Sequence, residues 1–288
     1  MCSTSFEFTV PVEYDRKSAK EFLRKYCGLT AETVKLCKYR ENGITRAEET
    51  LRTVDTVYQG DIIKISLPTD RNNTVPVKGN LEVLLEDRYL LIVNKPASMP
   101  VHPVKIHQLD TLSNIVSFYQ KQRGEDYTFR SLYRLDKDTS GVVVIAKDRV
   151  TLGLLQNKIE KEYIAVCEGI IEEAGTVDLP IANKEGSIIV REVRADGQPA
   201  VTHYKPLSYG NKHTLLSLQL ETGRTHQIRC HLSFLGHPLA GDDLYGGSLE
   251  YISRQALHCK TVSFTHPFTK KKITIDTAIP AEFLHIIA

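Results

Sequence analysis

Tryptophan is missing from the chain, and although six cysteines are present (Cys2, Cys27, Cys37, Cys167, Cys230 and Cys259), no two are spaced Cys-x-x-Cys. Scattered cysteines argue against a disulfide framework and a zinc ribbon, and they fit a reducing compartment. No apolar run approaches the length that spans a bilayer, and the opening residues MCSTSFEF lack the basic and apolar regions of an export signal. A soluble, cytoplasmic protein is therefore expected. Heptads and an extended apolar face are absent too, which points to a monomer. Charge of one sign is also scarce: 37 Lys and Arg against 35 Asp and Glu leave a net charge of +2. That balance does not demand a polyanionic partner. The excess is uneven, however, with 11 basic against 7 acidic residues over positions 16–64. This segment is either a solvated face or a place for sequence-independent phosphate contacts.

The 288 residues, 41% of them hydrophobic and 25% charged, suffice for one large domain with a small one beside it. Ser18 followed by Glu21 reads as a capping box for a short helix with Phe22, Leu23 and Tyr26 as its apolar stripe and Gly28 at its end. A second short helix is expected at Ala31–Tyr39, then a strand with Ile63, Ile65 and Leu67 on one face. These elements make a small module over residues 1–68. The polar, turn-rich stretch 69–80 reads as a linker, and residues 81–288 as the main domain. There, LEVLLEDRYLLIVNKP gives two strands, and LDTLSNIVSFYQKQRG gives a helix capped by Asp110. GVVVIAK is a strand buried on both faces. TLGLLQNKIEKEY places Leu152, Leu155 and Ile159 at helical spacing. Strands follow at GSIIVREV, AVTHYKPLSY and HTLLSLQLETG, then a helix at HQIRCHLSFLG and strands near 261–276. Runs of strands with inserted helices predict an α+β fold with a large mixed, mostly antiparallel sheet.

The chemistry concentrates in LYRLDKDTSGVVVIAK, Leu132 to Lys147. An acid-protease reading of Asp138-Thr139-Ser140-Gly141 fails: that chemistry needs two carboxylates sharing a proton, and no second copy of the motif exists. A metal reading would draw on His226, Cys230, His231, Asp242 and Asp243, but no His-Glu-x-x-His or cysteine pair supports it. Hydrogen bonding that positions a helix start accounts for both histidines. Asp138 before Thr-Ser-Gly suits a side-chain-to-backbone turn. Asp136, between Arg134 and Lys137, remains either a surface ion pair or an ionised nucleophile.

Four ordered blocks decide between these readings. YRLDKDTSGVVVIAK resembles the His-Arg-Leu-Asp-x-x-Thr-Ser-Gly motif of the RluA-type pseudouridine synthases, whose essential aspartate aligns with Asp136. LIVNKPASMPVHP is similar to their Asn-Lys-Pro-x-Gly-x-x-x-His-Pro segment, KEYIAVCEG to their Lys-x-Tyr strand, and ETGRTHQIRCHLSFLGHPLAGDDLYGG to their Thr-Gly-Arg-Thr-His-Gln-Ile-Arg block. The likeness spans residues 81–285, with Tyr133 in place of the usual His and Ser98 in place of the usual Gly. Residues 1–68 resemble the alpha-L RNA-binding fold, although TRAEET stands where Val-Asn-Gly is expected.

The resemblance implies the pseudouridine synthase fold and the isomerisation of uridines in ribosomal or transfer RNA, without cofactor or metal because nothing is added or lost. It implies Asp136 as the catalytic carboxylate, acting on C1′ by attack or by assisting elimination. Arg229 would be its ion-pair partner. Tyr163 would stack on the uracil and serve as base near C5. Arg134 would be a wedge in base flipping, and Arg224, His226 and Lys95 RNA contacts or supports of the site loops. Tyr39, Tyr58 and Tyr133 could stack on splayed bases. Two other readings stand beside this one: a non-catalytic RNA-binding or ribosome-assembly factor with the same fold, and a hydrolase of nucleoside glycosidic bonds.

Overall fold

The computed structural model describes residues 4–68 and 72–288. The first of its sheets has four strands, β1 (Ser5–Thr9), β2 (Ile44–Arg46), β3 (Glu49–Thr50) and β4 (Ile62–Ser66), in the antiparallel order β1-β4-β2-β3. Alternation makes β4: Ile63 and Ile65 are buried while Ile62 and Lys64 face outwards. The β2–β3 hairpin turns on Ala47 and Glu48, both at positive φ (49° and 67°). Asn-Gly is the usual occupant of such a turn. TRAEET folds there without it.

Between these strands, α1 (Ala19–Glu21) runs into a π-type turn at Phe22–Tyr26, and α2 (Ala31–Lys38) follows. Ser18 Oγ accepts from the Glu21 amide at 3.2 Å, Gly28 ends the helix at φ 67°, and Thr30 caps α2. Phe22 and Leu23 are buried; Tyr26 is exposed but stacks on Phe22 with ring centroids 5.2 Å apart.

The large sheet contains β5 (Glu82–Glu86), β6 (Leu90–Lys95), β7 (Ser140–Ala146), β8 (Glu160–Glu168) and β9 (Gly175–Asp178). Next in the chain, β10 (Ile181–Asn183) and β11 (Arg191–Val193) pair as a separate ribbon. β12 (Val201–Tyr209), β13 (His213–Leu220), β14 (Leu257–Thr265) and β15 (Lys272–Asp276) complete the large sheet. Its order is β5-β6-β7-β14-β8-β13-β12-β9, with β15 also on β14, and among the described strands only β7 and β14 run parallel. This is the mixed, mostly antiparallel α+β sheet expected. β7 is buried along its whole length, which explains its unbroken apolar run.

Four helices attend this sheet: α3 (Leu112–Gln122), α4 (Arg149–Leu155), α5 (Gln227–Phe234) and α6 (Ala281–Ile287). Several local expectations need correction. α3 is capped by Thr111, while Asp110 pairs with His107 at 2.5 Å. α4 stops at Leu155, so Ile159 is not on it; Asn157, at φ 60°, turns the chain into β8. Residues 186–190 carry no strand, and of GSIIVREV only Arg191–Val193 pairs. α6 was not anticipated.

Of the stretch 69–80, residues 69–71 lie outside the described residues. Beyond them the chain lies along α3: Asn72 donates to Ser117 and Gln120, and Asn114 donates to the Val75 carbonyl. The small sheet and its helices pack on the large unit through α4. Val150 enters their apolar core, and a Cβ on Gly153 would fall 1.9 Å from the Gly28 carbonyl oxygen. Phe268 adds a stack on Tyr89 (4.1 Å) and Phe6 (5.5 Å).

One contact sets the geometry of the turn before β7. The parallel ladder pairs His258 with Ser140 and Cys259 with Gly141. Gly141 sits at φ 115°, and a Cβ there would lie 2.2 Å from the Cys259 carbonyl oxygen. Gly141→Ala is therefore expected to cost at least ~3 kcal/mol, from strain and clash together. Urea unfolding of the variant measures it.

Candidate active site

Leu135 is buried, and the next residue, Asp136, leads into a turn closed by the Thr139 amide donating to the Asp136 carbonyl at 3.1 Å. The turn thus closes through the backbone rather than through the Asp138 carboxylate expected to do so. Asp136 keeps 28% of its side chain exposed. It is accessible without being a surface residue.

Arg229, on α5, donates from Nη1 to Asp136 Oδ2 at 3.2 Å. Its remaining fork is engaged by a second carboxylate: Nε and Nη2 donate to the two Asp242 oxygens, each at 2.7 Å. Asp242 is fully buried and Arg229 nearly so. Burial pushes the guanidinium towards neutrality, but the hydrogen bonds and charge of Asp242, then of Asp136, outweigh it and raise its pKa. The Tyr245 ring lies under the guanidinium at 5.0 Å. Asp242 was read from sequence only as a weak metal ligand. Its place in the GDDLYGG end of the fourth block was the available signal.

His226 precedes α5 in a left-handed conformation (φ 56°), uncommon for a residue with a Cβ. Its Nδ1 is 3.0 Å from Tyr245 Oη, and its Nε2 is 3.8 Å from Asp136 Oδ2. Tyr245 Oη accepts from the Arg191 amide at 2.8 Å, leaving its proton for Nδ1. The neutral ring then carries its hydrogen on Nε2, facing Asp136. Burial lowers the pKa of the ring, against the pull of Asp136. His231 has a structural place: its nitrogens meet Thr202 Oγ1 (2.9 Å) and the Leu179 carbonyl (3.0 Å), tying α5 to β12 and to the chain before β10.

Tyr163 enters from β8 and lines the same recess as Asp136, Arg134, Arg224, His226 and Arg229. Burial pushes its phenol well above the ordinary value, and the neighbouring Cys259 and Asp136 add to the shift. A free phenolate is therefore unavailable near neutrality. The recess, about 60 Å³, adjoins a cleft of about 1110 Å³ lined by Arg134, Lys158, Lys161 and Arg224. Arg134 is exposed at the join and makes no hydrogen bond or ion pair among the described residues. Arg224 is exposed too, with Nε donating to the Pro199 carbonyl at 3.0 Å.

Lys95 carries two expectations, an RNA contact or a support of the site loops. It is fully buried, with Nζ donating to the carbonyls of Pro96 (2.8 Å), Met99 (2.8 Å) and Lys137 (3.0 Å). No donor remains for a phosphate, so Lys95 fastens the loop after β6 to the Asp136 turn. Ser98, in that loop, holds φ 60°. This is a conformation that glycine, the usual residue at that place, adopts freely. Of the metal candidates, Asp242 is taken by Arg229, His231 by backbone and Thr202, and the buried Cys230 thiol is pushed up to about 11. Among the described residues no group of three or more His, Cys, Asp or Glu side chains could hold a metal ion.

The family model described as RNA pseudouridylate synthase matches residues 89–234. The chain is 40% identical over 239 residues to an RNA pseudouridine synthase of Bacillus subtilis, covering 80% of this chain and 79% of the relative. It is 34% identical over 260 residues to the ribosomal large subunit pseudouridine synthase D of Xanthomonas campestris (83% and 78% covered). The solved human RNA pseudouridylate synthase domain containing 1 superposes with a TM-score of 0.58 at 25% identity, over 70% of this chain and 84% of that one. The chain belongs to the RNA pseudouridine synthase family. The synthase is thus an enzyme that isomerises uridine in RNA, and no helix among its described residues is long and apolar enough to cross a membrane.

Burial lowers the Lys95 pKa to about 7, chiefly by desolvation, with Asp138 opposing it. Between that value and the ordinary lysine value, the unfolded chain holds a proton that the folded synthase has lost, so this group's contribution to stability rises with pH. The unfolding free energy of the wild type minus that of Lys95→Met is expected to increase from pH 7 to pH 10. Urea unfolding across that range checks the sign.

Proposed function

We propose that the synthase modifies ribosomal RNA, with transfer RNA the second candidate, and that Asp136 is the carboxylate acting at C1′ of a flipped uridine. The observation that carries this reading is the partly exposed Asp136 carboxylate on the wall of a recess that Tyr163 also lines, 3.2 Å from Arg229. Arg229 favours the ionised carboxylate and aims it. Whether by attack at C1′ or by drawing off a neighbouring ribose proton, the same carboxylate is the agent. The N1–C1′ bond breaks, the uracil turns, and C5 bonds to C1′. The C5 hydrogen leaves to solvent while N1 gains one, so the balance closes without cofactor or metal.

Tyr163 stacks on the uracil in this scheme. Its neutral hydroxyl takes the C5 proton as it passes its own to Asp136, which is free again once the new bond forms; no phenolate accumulates. His226 Nε2 faces Asp136 at 3.8 Å, too far for a hydrogen bond as the site stands. Arg134, exposed and without a protein partner among the described residues, is the wedge that fills the stack left by the flipped base. Arg224 contacts phosphate at the cleft mouth. Lys95 supports the loop and is not an RNA contact.

Residues 1–68 form, in this proposal, an alpha-L-like RNA-binding module beside a catalytic domain at 81–288. Support comes from its two helices on a four-stranded sheet and from exposed Lys17, Lys20, Lys25, Lys35, Lys38 and Arg40, with the exposed Tyr39 beside them. Such contacts would make RNA affinity fall with salt. Every proposed catalytic group comes from one chain, so a monomer suffices. The free cysteines Cys27, Cys37, Cys167, Cys230 and Cys259 fit a reducing cytoplasm.

The test uses ribosomal RNA transcribed with tritium at uracil C5. The wild type is expected to release tritium without freeing uracil, and Asp136→Asn to lose release by about 10³-fold or more while RNA binding persists. Full release by Asp136→Asn would remove that residue from the role. Tyr163→Phe keeps the ring but lacks the relay, so release is expected to slow by about 10²-fold.

A further inference from the structure

The segment entering β14 lies against the turn that carries Asp136, and it meets that turn residue by residue. Arg254 Nη1 donates to the Asp138 carbonyl at 3.0 Å. Gln255 Nε2 donates to Thr139 Oγ1 at 3.3 Å. His258 Nδ1 lies 2.8 Å from Ser140 Oγ, with its Nε2 2.9 Å from Thr277 Oγ1. Arg254 is the least buried of these, and its partner from elsewhere in the chain lies on α6, as that of His258 lies just after β15. Its Nε donates to Glu282 Oε1 at 2.9 Å, and its Nη2 is bonded to the same oxygen. The ring of Phe283 lies under the guanidinium at 5.2 Å. Phe283 itself is fully buried against Ile164, Val166 and Leu215 of β8 and β13. That packing fixes α6 and brings Glu282 to Arg254.

The neighbouring carbonyl on the turn is held from the other side. Lys95 Nζ bonds the Lys137 oxygen at 3.0 Å. Two basic side chains, one from β6 and one from the approach to β14, therefore grip consecutive carbonyls immediately after Asp136. The Arg229 contact fixes the carboxylate end of Asp136, and these grips fix its backbone end.

We propose that Arg254, oriented by Glu282 of the C-terminal helix, is a positioning residue that holds the backbone of the Asp136 turn in its working geometry. This deepens the reading above and rests on the role given there to Asp136. A guanidinium can bridge Glu282 and the Asp138 carbonyl at once because its donors diverge from a rigid plane. A lysine amine cannot span both in the same pose. Without Glu282 the arginine keeps its charge but loses its orientation, and the turn gains freedom while the sheet below it stays intact.

Two variants and two readouts test this. Hydrogen–deuterium exchange needs no substrate and so stands apart from the choice of RNA. Glu282→Ala and Arg254→Lys are each expected to speed exchange in the peptide spanning residues 134–141 by at least fivefold, with peptides from β6 and β8 unchanged. On C5-tritiated ribosomal RNA, the same variants are expected to lower kcat by about tenfold at unaltered KM, Glu282→Gln retaining part of the rate through its remaining acceptor oxygen. Unchanged exchange across 134–141 in both variants would overturn the proposal. So would a general acceleration that includes β6 and β8, because it would mean that Arg254 stabilises the domain without acting on the turn.

Discussion

Arg229 shares one guanidinium between two carboxylates, and the rest of the site is arranged around that fact. Asp242 takes the bidentate face, which makes it the anchor, and the third nitrogen is left to reach Asp136. A buried guanidinium without such an anchor would be costly; losing one partner of a buried pair is worth about 3–5 kcal/mol in general. With the anchor in place, Arg229 presents a fixed charge to a carboxylate that must stay reachable by substrate. The anchoring Asp242 is sealed, and Asp136, the carboxylate proposed to act, is open to the recess.

Aiming a carboxylate needs its backbone held as well. The Asp136 turn is set between β6 and β14, the strands that flank β7, and each side supplies contacts to it. Conformations that cost free energy occur at this place, as they do elsewhere in the chain: Ser98 and His226 at positive φ, and Gly141 where no side chain fits. The well-packed sheet beneath tolerates this local strain, as functional sites commonly require. The small N-terminal unit is joined to the same body through the close approach of Gly28 and Gly153, so the exposed basic residues of its helices stand in a fixed relation to the cleft.

Much of this was legible in the residues. The buried strand GVVVIAK, the alternating β4 and the capped short helices follow directly from periodicity and capping chemistry. The four ordered blocks carried the resemblance that brings Asp136, Tyr163 and Arg229 together, and the structure gathers them around one recess. What was not legible depends on burial and on long-range pairing. Lys95 reads equally as a cation for phosphate or as a support of the site loops until its amine is seen to end on three carbonyls. Asp242 reads as a loose metal ligand until Arg229 lies across it, thirteen residues away in sequence. Ile159 keeps helical spacing although Asn157 has already turned the chain. α6 is short, and its single buried anchor, Phe283, leaves little periodic signal.

The central claim is that Asp242 aims Asp136 through Arg229, and Asp242→Asn tests it most directly because it keeps shape and removes the anchoring charge. The measurement is single-turnover tritium release from C5-labelled ribosomal RNA at saturating enzyme, on variant protein whose RNA binding and folded fraction match the wild type. A misaimed catalytic group can cost about 10²-fold, and the account expects a loss of that size in the rate of release. Release at the wild-type rate would contradict it.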